Sequence, residues 1–325
     1  MSFSHKTLSQ WYCQLGQTQD AGIPILDAIR GCDGLPQRNR EVLANSLSFG
    51  NDWGKSLQLA NIIIPYEDAI QIKIGAQTGK LSAIFHNLAE QHEFAHTARS
   101  KIISLSIYPA IVIHVAILAF PIMNQIHFDS TAFVFNFGRY AFDVLKLLAM
   151  LWGLFFAITL LARHQRSLFF KIVKFLPGLG AYIKKIALAK FASSLAAFIQ
   201  AGVSLEMGWI YAGKASGDPK IEIASRDIAH AIALGHAPGN YLANYPCFPT
   251  AFTHLYRTGE QTGRLDELLL FSAKQLQQDA NSNLSVVTTL YPTLIIMLLA
   301  FFVASKVIHI YGDYLKLFSN PGWAS

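Results

Sequence analysis

The sequence predicts an all-α membrane protein with two homologous cytoplasmic helical bundles, of about six helices each, and three transmembrane helices. Three observations predict it. The 325-residue chain is 52% hydrophobic and only 14% charged, whereas soluble domains carry about 25% charged residues. Three apolar runs reach the roughly 20 residues that a helix needs to cross a bilayer. A long block of sequence also recurs, in the same order, at an offset of 180 to 185 residues. No stretch shows sustained alternation of apolar and polar residues bounded by turns, so strands are not expected.

Residues 1–101 form the first cytoplasmic domain. Their start, "MSFSHKTLSQWYCQLGQ", lacks an apolar run followed by a small-residue cleavage site, so no signal peptide is expected. "AGIP" (21–24) reads as a joint between helices, with Gly ending one and Pro24 suiting the start of the next. "GNDWGKSL" (50–57) reads as a turn. "GAQTGKL" (75–81) closes a helix, with Gly79 in the left-handed position. The helix that follows places Leu81, Ile84, Phe85 and Leu88 on one face and runs without a breaker into the first span.

The spans are 102–126, 140–162 and 284–306, with a short periplasmic loop at 127–139 and a periplasmic tail at 307–325. Arg99 and Lys101 precede the first span, and Arg163, Arg166, Lys171 and Lys174 follow the second, while the loop between them holds only Arg139. Basic residues flank spans on the cytoplasmic side, which places 1–101 and 163–283 inside the cell. Tyr108-Pro109 and Tyr291-Pro292 are expected to kink their spans, and Lys306 to snorkel at the outer end of the third.

The second cytoplasmic domain, 163–283, repeats the first. "QDAGIPI" (19–25) faces "IQAGVSL" (199–205), and "GNDWGKSL" faces "GHAPGNYL" (235–242). "GAQTGKL" faces "GEQTGRL" (259–265), and "IYPAI" (107–111) faces "LYPTL" (290–294). Four anchors in one order describe a domain-plus-span unit written twice. The second span returns the chain so that the second copy also starts inside.

Several motifs suggest chemistry and lose it in context. "HEFAH" (92–96) fits H-E-x-x-H, two imidazoles one helical turn apart beside a glutamate. The next histidine, His114, lies 18 residues on along the same helix, about 27 Å away, and cannot be the third ligand. The repeat counterpart, "LQQDA" (276–280), has no histidine. The motif therefore reads as a solvated helix face, with a membrane-tethered zinc protease as the alternative. "GNDWGKS" has three residues between its glycines where a phosphate loop needs four, and the second copy drops the lysine, so the shared requirement is a turn. His114, Asp143 and Lys146 are the ionisable groups at membrane depth. Asp143 and Lys146 share a helical face and are expected to pair locally, and His114 is expected to pack against another helix. Cys13, Cys32 and Cys247 read as buried, reduced thiols. No catalytic constellation, metal site or cofactor site is expected. The net charge of +6 comes without a nucleic-acid motif, so no nucleic-acid partner is expected.

The repeat "AGVSLEMGW…FP…GEQTGRLDELL" resembles the duplicated cytoplasmic domain of the inner-membrane platform proteins of bacterial type II secretion and type IV pilus machines. The resemblance covers nearly the whole chain, including domain order, span order and both Gly-rich turns. It implies self-association and a non-enzymatic role, coupling a cytoplasmic hexameric assembly ATPase to pilin or pseudopilin insertion alongside other inner-membrane assembly subunits. The sequence departs from the family in starting its first domain almost at once, and in carrying Ala76 where the second copy keeps the acidic Glu260. Candidate partner contacts are the two turns, Gly75, Gln77, Gly79 and Lys80 in the first copy and Gly259, Glu260, Gly263 and Arg264 in the second. A purely structural role for the same turns is the alternative. A further alternative, an oligomeric transporter, rests on the internal repeat, but three spans without paired half-helices build no mid-membrane site in one chain.

Overall fold

A computed structural model of the chain describes residues 3–123, 125, 136–164 and 178–319. Arg166, Lys171 and Lys174, most of the loop between the first two spans and the end of the tail lie outside the described residues. All regular structure among the described residues is helical, with no strand. The first copy contains α1 (His5–Asp20), α2 (Ile25–Gly31), α3 (Gln37–Ser48), α4 (Trp53–Leu59), α5 (Tyr66–Thr78) and the start of α6 (Leu81–Met123). After α7 (Phe137–His164), the second contains α8 (Leu179–Gln200), α9 (Leu205–Ser216), α10 (Pro219–Ala233), two 3-10 turns (Pro238–Asn240 and Leu242–Asn244), α11 (Thr250–Thr262) and the start of α12 (Leu265–Ser319).

Local chemistry sets these boundaries. Ser4 Oγ accepts the Thr7 N–H at 3.2 Å to open α1, and Asp218 Oδ1 accepts the Lys220 N–H at 2.8 Å to open α10, with Pro219 in its first turn. Pro24, Pro36, Pro65 and Pro249 stand immediately before α2, α3, α5 and α11. Their fixed φ sets the entry angle without a side-chain cap. The "AGIP" and "AGVS" joints fall where predicted, between Asp20 and Ile25 and between Gln200 and Leu205.

The chain divides into two compact units, Met1–Arg99 with Ala181–Asn283, and Ser100–Gly180 with Leu284–Ser325. The first unit holds both repeats, whose buried apolar residues form one continuous core. In the first copy Trp11, Tyr12, Leu15, Ile29, Leu43 and Phe85 are fully buried, and in the second Phe191, Leu195, Phe198 and Trp209 are. Leu15 and Leu195 occupy the same place in the repeat (195 − 180 = 15). Between the copies α5 packs on α9, and Gln91 Nε2 donates to Ser193 Oγ and Ser194 Oγ at 3.3 and 3.4 Å.

The second unit carries the apolar stretches. Three helices, Leu81–Met123, Phe137–Ala157 and Leu265–His309, contain windows long and apolar enough to cross a membrane, and only 6% of each window is buried. That surface is left for lipid. Phe120 stacks on Phe302 at 4.8 Å, and the Tyr140 hydroxyl donates to the Leu118 carbonyl at 3.3 Å. Lys306 lies with its ammonium 5.8 Å from the Phe120 ring centre, an attraction between cation and ring that supplements any snorkelling. Pro109 and Pro292 both lie inside continuous helices and end neither.

Truncating either repeat's central leucine leaves a cavity. Leu15→Ala and Leu195→Ala are each expected to cost about 2–5 kcal/mol, whereas Leu59→Ala, at an exposed position, stays within about 0.5 kcal/mol. Denaturant unfolding of the detergent-solubilised protein checks this.

Candidate functional site

The paired turns use the same device twice. Gly79 and Gly263 end α5 and α11 at φ 69° and 71°, a left-handed conformation that strains any side chain. Each turn is closed by an N–H reaching back to the first glycine's carbonyl, Lys80 to Gly75 at 2.9 Å and Arg264 to Gly259 at 3.1 Å. The first glycines are needed for space. A Cβ on Gly75 would lie 2.8 Å from Ile84 Cγ1, and one on Gly259 would lie 2.9 Å from the Leu265 Cα. The helix that leaves each bundle therefore passes directly against the helix before it.

Around this shared frame the side chains differ. Gln77 and Lys80 are exposed. Arg264 is exposed and pairs with Glu267 one turn later. Glu260, half-buried, turns inward toward Gly239: burial pushes its carboxyl up, against the opposing pull of the Gly239 N–H and of Arg257. Arg257 Nε donates to the Gly239 carbonyl at 2.7 Å. A Cβ on Gly239 would sit 2.6 Å from Glu260 Oε2. Glu260 thus braces the 3-10 turn of its own repeat. The first copy has helix α4 at that place and needs no brace, which accounts for Ala76.

This corrects the reading of "GNDWGKS" and "GHAPGNY" as one turn with two shared glycines. Gly50 and Gly235 do share a positive φ, 79° and 82°. Gly54, however, is inside α4, while Gly239 makes room for Glu260.

"HEFAH" is also corrected. His92 is buried, not solvated. Its Nε2 donates to Asp68 Oδ2 at 2.7 Å, and its Nδ1 contacts His5 Nδ1 at 2.8 Å. The Tyr12 hydroxyl donates to the same Asp68 oxygen at 3.0 Å. With both ring nitrogens engaged, His92 has no lone pair to offer zinc, and no group of three or more metal-ligating side chains occurs among the described residues. The buried carboxylate drew His92 inward, because a charge away from water requires donors. Asp68, Tyr12 and His5 were not singled out from the sequence. Aligning the copies beyond the glycines would have exposed them, since Asp68 faces Phe252 at the offset of 184.

At membrane depth, His114 Nδ1 donates to the Ala110 carbonyl at 2.7 Å, and its ring meets the edge of Trp152 on α7 at 6.3 Å. It packs against another helix. Asp143 is half-buried and Lys146 exposed, and among the ion pairs of the described residues they form none. The three-residue spacing permits the pairing without requiring it. Of the cysteines only Cys32 is buried; Cys13 and Cys247 are half-buried, and all three are free thiols.

The family profile described as type II secretion system (T2SS), protein F matches residues 11–124 and again 191–311. The matches start 180 residues apart (191 − 11), the offset between the two bundles. The chain is 26% identical to the type IV pilus assembly protein TapC of Aeromonas hydrophila, over 76% of this chain and 64% of that protein. It is 26% identical to the type 4 fimbrial assembly protein PilC of Pseudomonas putida, over 94% of this chain and 82% of that protein. It is 23% identical to the type II secretion system protein F of Pseudomonas aeruginosa, over 94% and 81%. The chain thus spans just under two thirds of the TapC length and about four fifths of the other two.

Close approach at the turns sets the expected cost of filling them. Gly259→Ala, which meets backbone, is expected to lose about 1–3 kcal/mol. Gly75→Ala meets the Ile84 side chain and loses less. Thermal unfolding of the two variants side by side gives the order.

Proposed function

Because the chain belongs to the type II secretion system protein F family, the inner-membrane platform family of pilus and secretion machines, we propose that it couples a cytoplasmic hexameric assembly ATPase to insertion of pilin or pseudopilin. The observation that carries this reading is the duplication itself: two helical bundles in one compact unit, each continued by a helix long and apolar enough to enter a membrane. α6 and α12 both begin in a bundle and end in the apolar unit without a break. A displacement of the bundles is passed to the spans through these two helices. Residues 1–101 and 163–283 face the cytoplasm, and 127–139 and 307–325 face the periplasm. The chains self-associate beside other inner-membrane assembly subunits.

The motor meets the exposed members of the two turns, Gln77 and Lys80 on one copy and Arg264 on the other. Glu260, held against Gly239, serves the fold and not the partner. The work is mechanical, and the ATPase supplies the hydrolysis.

Two measurements test this. Lys80→Glu and Arg264→Glu are expected to leave the melting temperature unchanged within about 2 °C, since exposed charges contribute little. The same changes are expected to reduce co-purification of the assembly ATPase from membranes. Wild-type recovery of the ATPase with both variants removes the turns from the interface. Reporter fusions near residue 230 are expected to report the cytoplasm; a periplasmic signal there overturns the topology.

A further inference from the structure

In each repeat the start of the first helix is tied to the long helix, but with different chemistry. In the second copy Lys185 Nζ on α8 donates to Asp279 Oδ2 on α12 at 3.1 Å. The equivalent of Lys185 is His5 (185 − 180), whose Nδ1 contacts His92 Nδ1 on α6 at 2.8 Å. Behind His92 stands Asp68 Oδ2, which also accepts from Tyr12. The second copy has Ala192, Phe252 and Leu276 where the first has Tyr12, Asp68 and His92. Ala192 and Phe252 are buried, and Leu276 packs against the same apolar core. The bundle therefore closes without ionisable groups at this place. An apolar replacement of a buried ion pair is often at least as stable, so stability alone does not explain the cluster.

Two Nδ1 atoms this close need one proton between them, with one nitrogen donating and the other accepting. His92 Nε2 faces a carboxylate oxygen and carries its own hydrogen. Once both rings carry a hydrogen on each nitrogen, two N–H groups point at each other and two positive rings are in contact. We propose that the His5–His92–Asp68 chain is an acid-released latch, fastening the first turns of α1 to α6 and letting go when both imidazoles are fully protonated.

The surroundings favour release over accommodation. His5 is faced by His92 and Arg99 from α6, by Asp68 from α5 and by Lys190 from α8. Glu93 of α6 is engaged by Ser9 at 3.2 Å. Burial, and then His92, Lys190 and Arg99, hold the His5 imidazole below its ordinary value of 6.5, with Asp68 acting the other way. A group that binds its proton less readily when docked makes docking weaker in acid. The latch is at full strength above about pH 6.5 and weakens as the pH falls below it. The other end of α1 stays fastened. There Ser82 and then His86 hold the Asp20 carboxyl below its usual range, and His86 Nε2 lies 2.8 Å from Asp20 Oδ2. Only the first turns of α1 open.

Hydrogen exchange of the full chain in nanodiscs, read by mass spectrometry and corrected for intrinsic rates, tests the latch. Protection of the first turns of α1 is expected to fall about tenfold between about pH 7.5 and about pH 5. Protection of α8 is expected to hold. His5→Gln, which can donate or accept without titrating, is expected to flatten the response. The triple variant Tyr12→Ala, Asp68→Phe and His92→Leu, which installs the second copy's residues, is expected to do the same. Equal α1 protection at both pH values, an equal loss in α8, or an undiminished loss in His5→Gln overturns the proposal. If the triple variant fails to fold, His5→Gln decides.

Discussion

The rest of the structure depends on how closely each bundle's exit helix passes the helix before it. At Gly75 and Gly259 the neighbouring helix comes within the space a Cβ would fill, and four residues later Gly79 or Gly263 reverses the chain in a left-handed turn. Relaxing that approach would move Ile84 and Phe85 in one copy, and Leu265 and Leu269 in the other, away from the core they complete. Burial of each such side chain stabilises by roughly 1.5–3 kcal/mol. The two glycines therefore act as one constraint: the first sets the distance and the second the direction.

Duplication lets one copy serve as a control for the other. Contacts that the fold requires recur with their chemistry exchanged. Ser82 donates to Asp20 in the first copy, and in the second Gln200 donates to Asp266 at 3.2 Å, so acceptor and donor have traded helices across the same joint. Contacts that serve one copy alone do not recur. Glu260 braces a 3-10 turn that the first copy lacks, and the Asp68 cluster sits where the second copy packs Phe252 against Phe191 and Phe248. Trp209 donating to Tyr256 at 3.1 Å is the second copy's own buried polar contact, and Ile72 stands in the place of Tyr256 in the first.

The sequence motifs that misled did so for one reason. Pattern matching assigns a role to a residue from its neighbours along the chain, whereas burial is decided by residues far away. "HEFAH" read as a solvated face once no third ligand lay within reach along the helix, but Asp68, 24 residues earlier, and His5, 87 residues earlier, close over His92. The glycine pair of "GNDWGKS" looked like a duplicated turn, but Gly239 answers to a carboxylate 21 residues later (260 − 239). Asp143 and Lys146 were matched by helical spacing alone, and spacing permits contact without requiring it.

What the sequence by itself determined is whatever follows from local geometry and repetition. That includes helices throughout, three apolar stretches, the duplicated unit and the family, and the two turns whose glycines only a left-handed backbone or a close approach explains. These are legible because φ restrictions, helical period and apolar length are properties of short segments. Tertiary structure alone decided that the two copies pack into one unit, that Glu260 faces inward while Arg264 faces out, and that the first copy buries a hydrogen-bonded chain of ionisable groups where the second buries hydrocarbon. Each of these depends on which distant side chain arrives to desolvate a polar group, and the cost of leaving that group unpaired is set by the assembled core.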